Sequence, residues 1–157
     1  MATTTVNFGT VASHSITNDL GNGLWWQSVK IDNGTVKGIW AEIFVNIVTT
    51  TTAAANANGT VDIYLAGSLD GGTDYEGGAS GTAGSYTPTN AGGGDMQFIG
   101  AMRVDAIDTT AKTYKKRYVI NDLPEDFALV VENNSGQAIA TGGNNFIEIR
   151  IHKYDTA

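Results

Sequence analysis

The clearest pattern in the chain is the alternation of apolar and polar residues between positions 37 and 49. One parity of this segment is wholly apolar: Ile39, Ala41, Ile43, Val45 and Ile47. The other parity combines the aromatic residues Trp40 and Phe44 with the polar residues Glu42 and Asn46. A period of two residues is that of a pleated strand. We therefore predict a long central strand that is buried on one face and partly covered on the other, as in an antiparallel sandwich.

Shorter segments with the same period predict six further strands. They lie at residues 25–31, 61–66, 96–105, 112–120, 127–131 and 146–154. In the last of them, Ile147, Ile149 and Ile151 are expected to point inward, and Glu148, Arg150 and His152 outward. No segment has the period of a helix. The pattern predicts an all-β fold, an antiparallel β-sandwich or jelly roll.

Two Asn-Gly pairs are the strongest turn signals in the chain. An Asn-Gly pair between two strand patterns is typical of a hairpin. Asn33-Gly34 therefore predicts that the strand at 25–31 pairs with the central strand. Asn58-Gly59 predicts that the strand at 61–66 returns beside the central strand.

Residues 1–24 differ from the rest of the chain, because they contain no basic residue and a single acid. Their apolar residues are scattered, at Val6, Phe8, Val11, Ile16 and Leu20. We predict that residues 1–24 form an extended N-terminal arm that becomes ordered on a partner surface, and that residues 25–157 form the sandwich domain. An edge strand followed by a loop is the alternative for the arm.

A glycine-rich stretch separates two of the predicted strands. Ten of the 29 residues between positions 67 and 95 are glycine. Most connections within a domain have about six residues. A loop of this length is therefore expected to be either functional or mobile.

Composition and charge exclude several classes of protein. A chain of 157 residues is the size of one domain, and its 16 acids against 9 bases give a net charge of −7, which argues against nucleic acid as a partner. Without cysteine, neither a disulfide nor a thiolate site is possible. The chain contains no apolar run long enough to span a membrane, and its start lacks the features of a secretory signal, so we expect a cytosolic site of synthesis and no membrane partner.

The residues that usually carry catalysis are sparse. There are two histidines, His14 and His152, and no G-x-S-x-G motif, so a hydrolase triad is not expected. Asp70, Asp74 and Glu76 place three carboxylates in the glycine-rich loop, but their spacing fits no calcium-binding motif. We predict a protein that is not an enzyme and that binds no metal or cofactor.

Two groups of side chains have both a structural and a functional interpretation. Lys112, Lys115, Lys116 and Arg117 hold four of the nine basic residues within six positions. They either protect an edge strand from unwanted pairing or provide a positive surface for docking on an acidic protein. The aromatic residues Trp25, Trp26, Tyr64, Tyr75 and Tyr86 form either core or a platform for sugars. Because Trp25 and Trp26 are adjacent, they must point to opposite faces of their strand.

Three segments resemble a known class of virion protein. They are residues 63–75 (IYLAGSLDGGTDY), 98–100 (FIG) and 123–131 (LPEDFALVV), together with a closing strand that ends in Ile149, Arg150 and Ile151. With the abundance of Thr, Gly and Asn and the lack of Cys, the chain resembles the small jelly-roll decoration, or cement, proteins of tailed bacteriophage capsids.

This resemblance implies a structural virion protein that is made in the host cytoplasm and then binds the major capsid protein on the capsid exterior. It implies a homo-oligomer, with a trimer favoured, and no catalytic residues. The expected contacts with the capsid or another partner combine the arm with the basic group: Val6, Phe8, Val11, Ile16, Lys112, Lys115, Lys116 and Arg117. Self-association is also expected because Trp40 and Phe44 need to be covered.

Two other functions remain open from the sequence. One is a β-sandwich module that binds carbohydrate or a host surface, which the aromatic residues favour. The other is a tail, fibre or neck component of a virion.

Overall fold

The computed structural model describes residues 4–16, 20–34, 38–50, 56–68, 70–90, 94–104, 111–140 and 144–156, with side chains described between residues 9 and 153. These residues form ten strands and one short 3-10 turn, Glu76–Gly78. The strands are β1 (Thr4–Ser15), β2 (Trp25–Gln27), β3 (Ile31–Asp32), β4 (Trp40–Val48), β5 (Thr60–Ser68), β6 (Gly84–Tyr86), β7 (Gln97–Arg103), β8 (Thr113–Asn121), β9 (Asp126–Asn134) and β10 (Phe146–Thr156). The prediction of an all-β fold is confirmed.

The strands form two antiparallel sheets. One has four strands in the order β1-β10-β4-β8, and the other has six, in the order β6-β2-β9-β5-β7 with β3 beside β9. If β2 and β3 are taken as one interrupted strand and the short β6 is set aside, eight strands remain. The first then pairs with the last, the second with the seventh, the third with the sixth and the fourth with the fifth. This nested pairing is the jelly-roll topology.

The main core lies between the inner faces of the two sheets. The predicted central strand is confirmed, because β4 lies between β10 and β8, and its parity from Ala41 to Ile47 is fully buried. Trp26 and Phe127 contribute the largest fully buried side chains of the opposite sheet. Burial of large apolar side chains contributes about 1.5–3 kcal/mol each, so this interior supplies most of the stability of the fold.

The hairpin predicted at Asn33-Gly34 is wrong. Residues 25–27 and 31–32 pair with β9 in the six-stranded sheet, whereas β4 belongs to the other sheet. The fully buried Asn33 explains the crossing: its Oδ1 accepts a hydrogen bond from the Gly38 backbone N–H (2.8 Å), and its Nδ2 donates one to the Pro124 carbonyl (3.1 Å). The Asn side chain therefore supports a passage between sheets and not a two-residue turn.

The return predicted after Asn58-Gly59 is also wrong, because β5 pairs with β7 and β9 and not with β4. The turn itself is present, with Asn58 in the left-handed region (φ 64°). Gly59 lies so close to the turn after β9 that an added Cβ would be 2.5 Å from the Ser135 carbonyl oxygen. The turn thus packs against the six-stranded sheet, and the chain enters that sheet after β4.

The N-terminal segment is not a separate arm within its described part. Residues 4–15 form β1, which pairs with β10 at the edge of the four-stranded sheet, as in the alternative considered for this segment. Ile16 and Leu20 are fully buried in the main core. The boundary predicted at residue 24 is therefore not a boundary of the fold.

The glycine-rich stretch from 67 to 95 covers the outer face of the six-stranded sheet. Its buried residues Tyr75 and Ala79, together with Met96 directly after the stretch, form a second apolar cluster with Trp25, Tyr64, Ala66, Ala128 and Val130. The six-stranded sheet is therefore apolar on both faces. The four-stranded sheet has no equivalent cover among the described residues.

Two side chains differ from simple alternation, one in its face and the other in its exposure. In β7, a bulge at Ile99 pairs Tyr64 with Phe98, so Phe98 lies on the outer face and is 55% exposed. In β10, His152 has the outward parity that was predicted, but it is only 1% exposed because Trp40 stacks on it.

Candidate interaction surface

The outer face of the four-stranded sheet, called the bare face below, presents aromatic and charged side chains next to one another. The strand register fixes its rows. Glu148, Phe44 and Arg117 lie side by side on β10, β4 and β8. In the next row, Arg150, Glu42 and Val119 occupy the same three strands. Side chains that are cross-strand neighbours lie about 5 Å apart at Cβ, so each row presents a continuous strip.

A chain of polar contacts crosses the bare face. The Trp40 ring stacks on the His152 imidazole with 3.7 Å between centroids and 15° between planes. His152 Nε2 lies 3.3 Å from one carboxylate oxygen of Glu42, and the other oxygen is 2.8 Å from the Arg117 guanidinium. These contacts hold the aromatic and charged groups in one arrangement, so the surface is ordered without a partner.

A shallow depression of about 190 Å³ lies in the middle of the bare face. Its lining combines apolar and charged groups, namely Val11, Glu42, Phe44, Arg117, Glu148, Ile149 and Arg150. Phe44 is only half-buried, and Val11 and Val119 are 44% and 51% exposed. A mixture of exposed apolar and arginine side chains is typical of protein interfaces.

The basic group predicted from the sequence does not act as one patch. β8 is an edge strand, as expected, and Lys115 and Arg117 point to the bare face. Lys116 has the opposite parity: its Nζ donates to the Ala101 carbonyl of β7 (2.7 Å) and lies 5.2 Å from the centre of the Tyr118 ring. Lys112 lies just before β8, where its backbone bonds to Thr49. The edge-protecting interpretation fits Lys116, and the docking interpretation fits Lys115 and Arg117.

The apolar residues predicted as partner contacts also differ from one another in exposure. Val11 is exposed on the bare face, whereas Ile16 is fully buried, so Ile16 is not available to a partner in this structure. Val6 and Phe8 lie in β1, but their side chains fall outside the described residues. Sequence reasoning missed Glu42, Glu148 and Arg150. Glu42 shares the parity of Phe44 within β4, whereas Glu148 and Arg150 come beside it only through the pairing with β10.

The aromatic residues singled out from the sequence meet on the other sheet. Trp26 is in the main core, but Trp25, Tyr64, Tyr75 and Tyr86 all belong to or adjoin the second cluster. The Trp25 ring lies 5.3 Å from Tyr64 and 6.3 Å, edge-on, from Tyr86. A cleft of about 320 Å³ opens beside Trp25 and Tyr86 and is bordered by Leu24, Pro88 and Asn90. Most ring faces here are used in packing, and Tyr86 is half exposed.

Burial changes the titration of this aromatic cluster. Burial raises the pKa of Tyr86 to about 12, and the nearby Glu132 carboxylate adds to the increase. Burial also raises the pKa of Glu132, whose carboxylate accepts a hydrogen bond from the Tyr64 hydroxyl (3.1 Å). The Tyr86 hydroxyl therefore remains protonated at neutral pH, and it donates a hydrogen bond to the Met96 sulfur (3.3 Å).

In the acidic loop, the carboxylates of Asp70 and Glu76 accept hydrogen bonds from nearby groups of the same chain. The Asp70 carboxylate accepts hydrogen bonds from the backbone N–H groups of Asp74 and Thr73 and from the Ser68 hydroxyl, which hold its pKa below the usual range. Glu76 accepts a hydrogen bond from the Gly67 N–H (3.0 Å). No group of three or more potential metal-ligating side chains occurs within the described residues. None of the described segments is a helix long and apolar enough to cross a membrane.

Comparisons with known proteins add little to this geometry. No protein-family model matches the chain, and no curated protein matches it. Among solved structures, the Yersinia pseudotuberculosis-derived mitogen is similar at 12% identity and a TM-score of 0.37, over 91% of this chain and 86% of that chain. The fold assignment above therefore rests on the strand order of this protein alone.

Proposed function

We propose that this protein is a capsid decoration protein, which binds the major capsid protein lattice of a virion through its bare face and stabilises the shell. The observation that carries the proposal is the contrast between the two sheets. A loop of the chain covers the outer face of the six-stranded sheet, but Trp40, Phe44 and Phe146 remain half-buried and ordered on the bare face. Ordered apolar groups at a surface are typical of a binding site for another protein.

The charges of the bare face favour an acidic partner. Lys115, Arg117 and Arg150 outnumber Glu42 and Glu148 there, although the whole chain has a net charge of −7. A local excess of positive charge attracts a negative surface and fixes the orientation of docking. The rest of the molecule is repelled, so the bare face is the side that approaches an acidic capsid surface.

Binding in many copies fits a small face of this kind. When a lattice presents the same site repeatedly, and decoration subunits are linked to one another, weak single contacts add up to stable attachment. We therefore place the protein on the capsid exterior after synthesis in the host cytoplasm. The resemblance noted above favours three linked copies.

The decisive experiment is binding to capsids that lack the protein. In a co-sedimentation assay, the double variant Arg117→Glu, Arg150→Glu is expected to lose most of its binding, because it replaces two attractive charges by repulsive ones. Arg103→Glu is a control for reversal of an arginine charge outside the bare face, since Arg103 is exposed at the end of β7 in the other sheet. Circular dichroism confirms that each variant is folded.

Two outcomes would contradict the proposal. If cryo-electron microscopy of purified virions finds no copy of this chain, the protein is not a decoration protein. If Arg103→Glu weakens binding as much as the double variant, the bare face is not the docking surface.

A carbohydrate-binding function is the second candidate, and the cleft beside Trp25 and Tyr86 favours it. Sugars bind to aromatic rings with polar groups at the rim, and this cleft combines Tyr86 with Thr87 and Asn90. Glycan-array binding that is lost in Tyr86→Ala but retained in Phe44→Ala would support this candidate. Absence of any glycan signal at high protein concentration would remove it.

A further inference from the structure

The edges of the two sheets are protected very differently. β8 is a basic strand whose Lys116 reaches the Ala101 carbonyl of β7, so this side of the sandwich is closed. β3 and β6 are only two and three residues long. β1 has 12 residues and, within the described part of the chain, pairs only with β10.

The composition of β1 makes its free edge unusual. Its sequence TTVNFGTVASHS contains no Lys, Arg, Asp or Glu, whereas each of the other described strands of seven or more residues contains at least one of them. Charged side chains on an edge strand prevent another strand from pairing with it. Ala12, Ser13 and Ser15 are small and exposed, so they do not obstruct an approaching strand.

The interior next to β1 is also incomplete. A cleft of about 340 Å³ lies between β1 and β3, with Ile31, Ile149 and Ile151 among its lining residues. His14 of β1 also lines this cleft, and its buried Nε2 has no hydrogen-bond partner among the described residues. Neighbouring strands lie about 4.8 Å apart, so a strand added outside β1 would place its inward side chains over this cleft.

We propose that β1 is a pairing edge for a second copy of this chain, and that two β1 strands join antiparallel about a two-fold axis into one eight-stranded sheet. In the favoured register the Ser13 residues face each other. Val11 then lies opposite Ser15 of the second copy on the outer face, and Ala12 lies opposite His14 on the inner face. This register uses the part of β1 that pairs regularly with β10, beyond the irregularity between Phe8 and Val11.

A second copy is the occupant that fits the edge best. Two β1 strands bring no like charges together, and like charges on paired strands are destabilising. Pairing of β1 with β8 of another copy would be a head-to-tail contact, and it would extend into an open chain of molecules. A two-fold contact closes after two copies, so it pairs the free backbone groups of β1 without leading to aggregation.

This inference is independent of the capsid proposal, because it concerns the isolated protein. It also differs from the three-fold assembly that the family resemblance implies. The two are distinguished by mass, since a pair has twice the chain mass of 16.5 kDa.

The first test is the mass of the purified protein by sedimentation velocity. We expect a pair in the wild type, and an increase of about tenfold or more in its dissociation constant for Ser13→Lys, which places two lysines opposite each other. Thr113→Lys is the matched control, because Thr113 is an exposed hydroxyl residue at the edge strand β8 of the same sheet. A wild type that remains monomeric at about 100 μM would overturn the proposal, since even weak specific pairs form at that concentration.

A cysteine variant tests the register and does not depend on the lysine variant being folded. The chain has no cysteine, so Ser13→Cys is expected to form a single disulfide between two copies under mild oxidation. Thr113→Cys is expected to remain uncrosslinked. Crosslinking of Thr113→Cys but not of Ser13→Cys, or a trimer that Ser13→Lys leaves unchanged, would show that the β1 edge is not the contact.

Discussion

The two sheets of this jelly roll differ in how the aromatic side chains on their outer faces are covered. Each has an apolar inner face, but the six-stranded sheet also carries Trp25, Tyr64 and Val130 on its outer face, and a loop of the chain buries them. The four-stranded sheet carries Trp40 and Phe44 on its outer face beside charged residues, and no described segment covers them. The comparison suggests that the first outer face serves stability and that the second serves binding.

The largest expected effect is on the covered face. Trp25→Ala removes a ring that is 8% exposed and packs between Tyr64 and Tyr86, and we expect it to lower the free energy of unfolding by about 3 kcal/mol. Urea denaturation measures the change. A loss below about 1 kcal/mol, the range of surface substitutions, would mean that the second cluster contributes little to stability.

The loop that covers this face depends on glycine at particular positions. Gly77 has a φ of 67°, and an added Cβ would lie 2.9 Å from the Met96 side chain, so Gly77→Ala is expected to cost about 1–3 kcal/mol. Gly71→Ala is the control: its φ of 79° is equally unfavourable, but nothing lies within 4 Å of the new Cβ. Equal losses in the two variants would show that contact with Met96 is unimportant.

On the bare face, the same kind of truncation should affect binding and not folding. Phe44 is half-buried, so Phe44→Ala is expected to lower the free energy of unfolding by about 1 kcal/mol or less, while capsid binding weakens. Urea denaturation and co-sedimentation measure the two quantities. A large loss of stability with unchanged binding would show that Phe44 stabilises the folded protein and does not contribute to capsid binding.

The smallest effect is a pH dependence from Glu132 on the covered face. Its folded pKa is raised by burial, so the folded state binds this proton more tightly than the unfolded state. The associated stability is present below the unfolded pKa and is lost as pH rises through the folded pKa. Glu132→Gln should therefore gain stability relative to the wild type as the pH rises above the unfolded pKa of this carboxyl. A difference that is constant with pH would contradict the assignment.

Alternation along the chain predicted seven strands and the fold class, but not β1 or β6, which lie in the segments interpreted as an arm and a loop. The parity of β4, the opposite directions of Trp25 and Trp26, and the edge position of β8 all follow from local pattern, because side chains of a strand alternate whatever its partners are. The order of strands did not follow. In a jelly roll consecutive strands often lie in different sheets, so Asn33-Gly34 and Asn58-Gly59 mark passages that resemble hairpin turns in sequence.

The candidate site was predictable only in part for a similar reason. Lys115 and Arg117 were identified because they are close in sequence. Glu42 joins them through the pairing of β4 with β8, and Arg150 through the pairing of β4 with β10, and no local pattern specifies either register. The burial of His152 likewise depends on Trp40, its neighbour on another strand.

The pairing of β1 with β10 has a consequence for the way this protein is made. The four-stranded sheet cannot close until residues 146–156 have left the ribosome, so β1 and β4 must wait for the neighbour that lies between them. Proteins dominated by such distant pairings fold slowly, in milliseconds to seconds. During synthesis the uncharged segment of β1 therefore stays without its partner strand until β10 is made, and a chaperone could shield it in that interval.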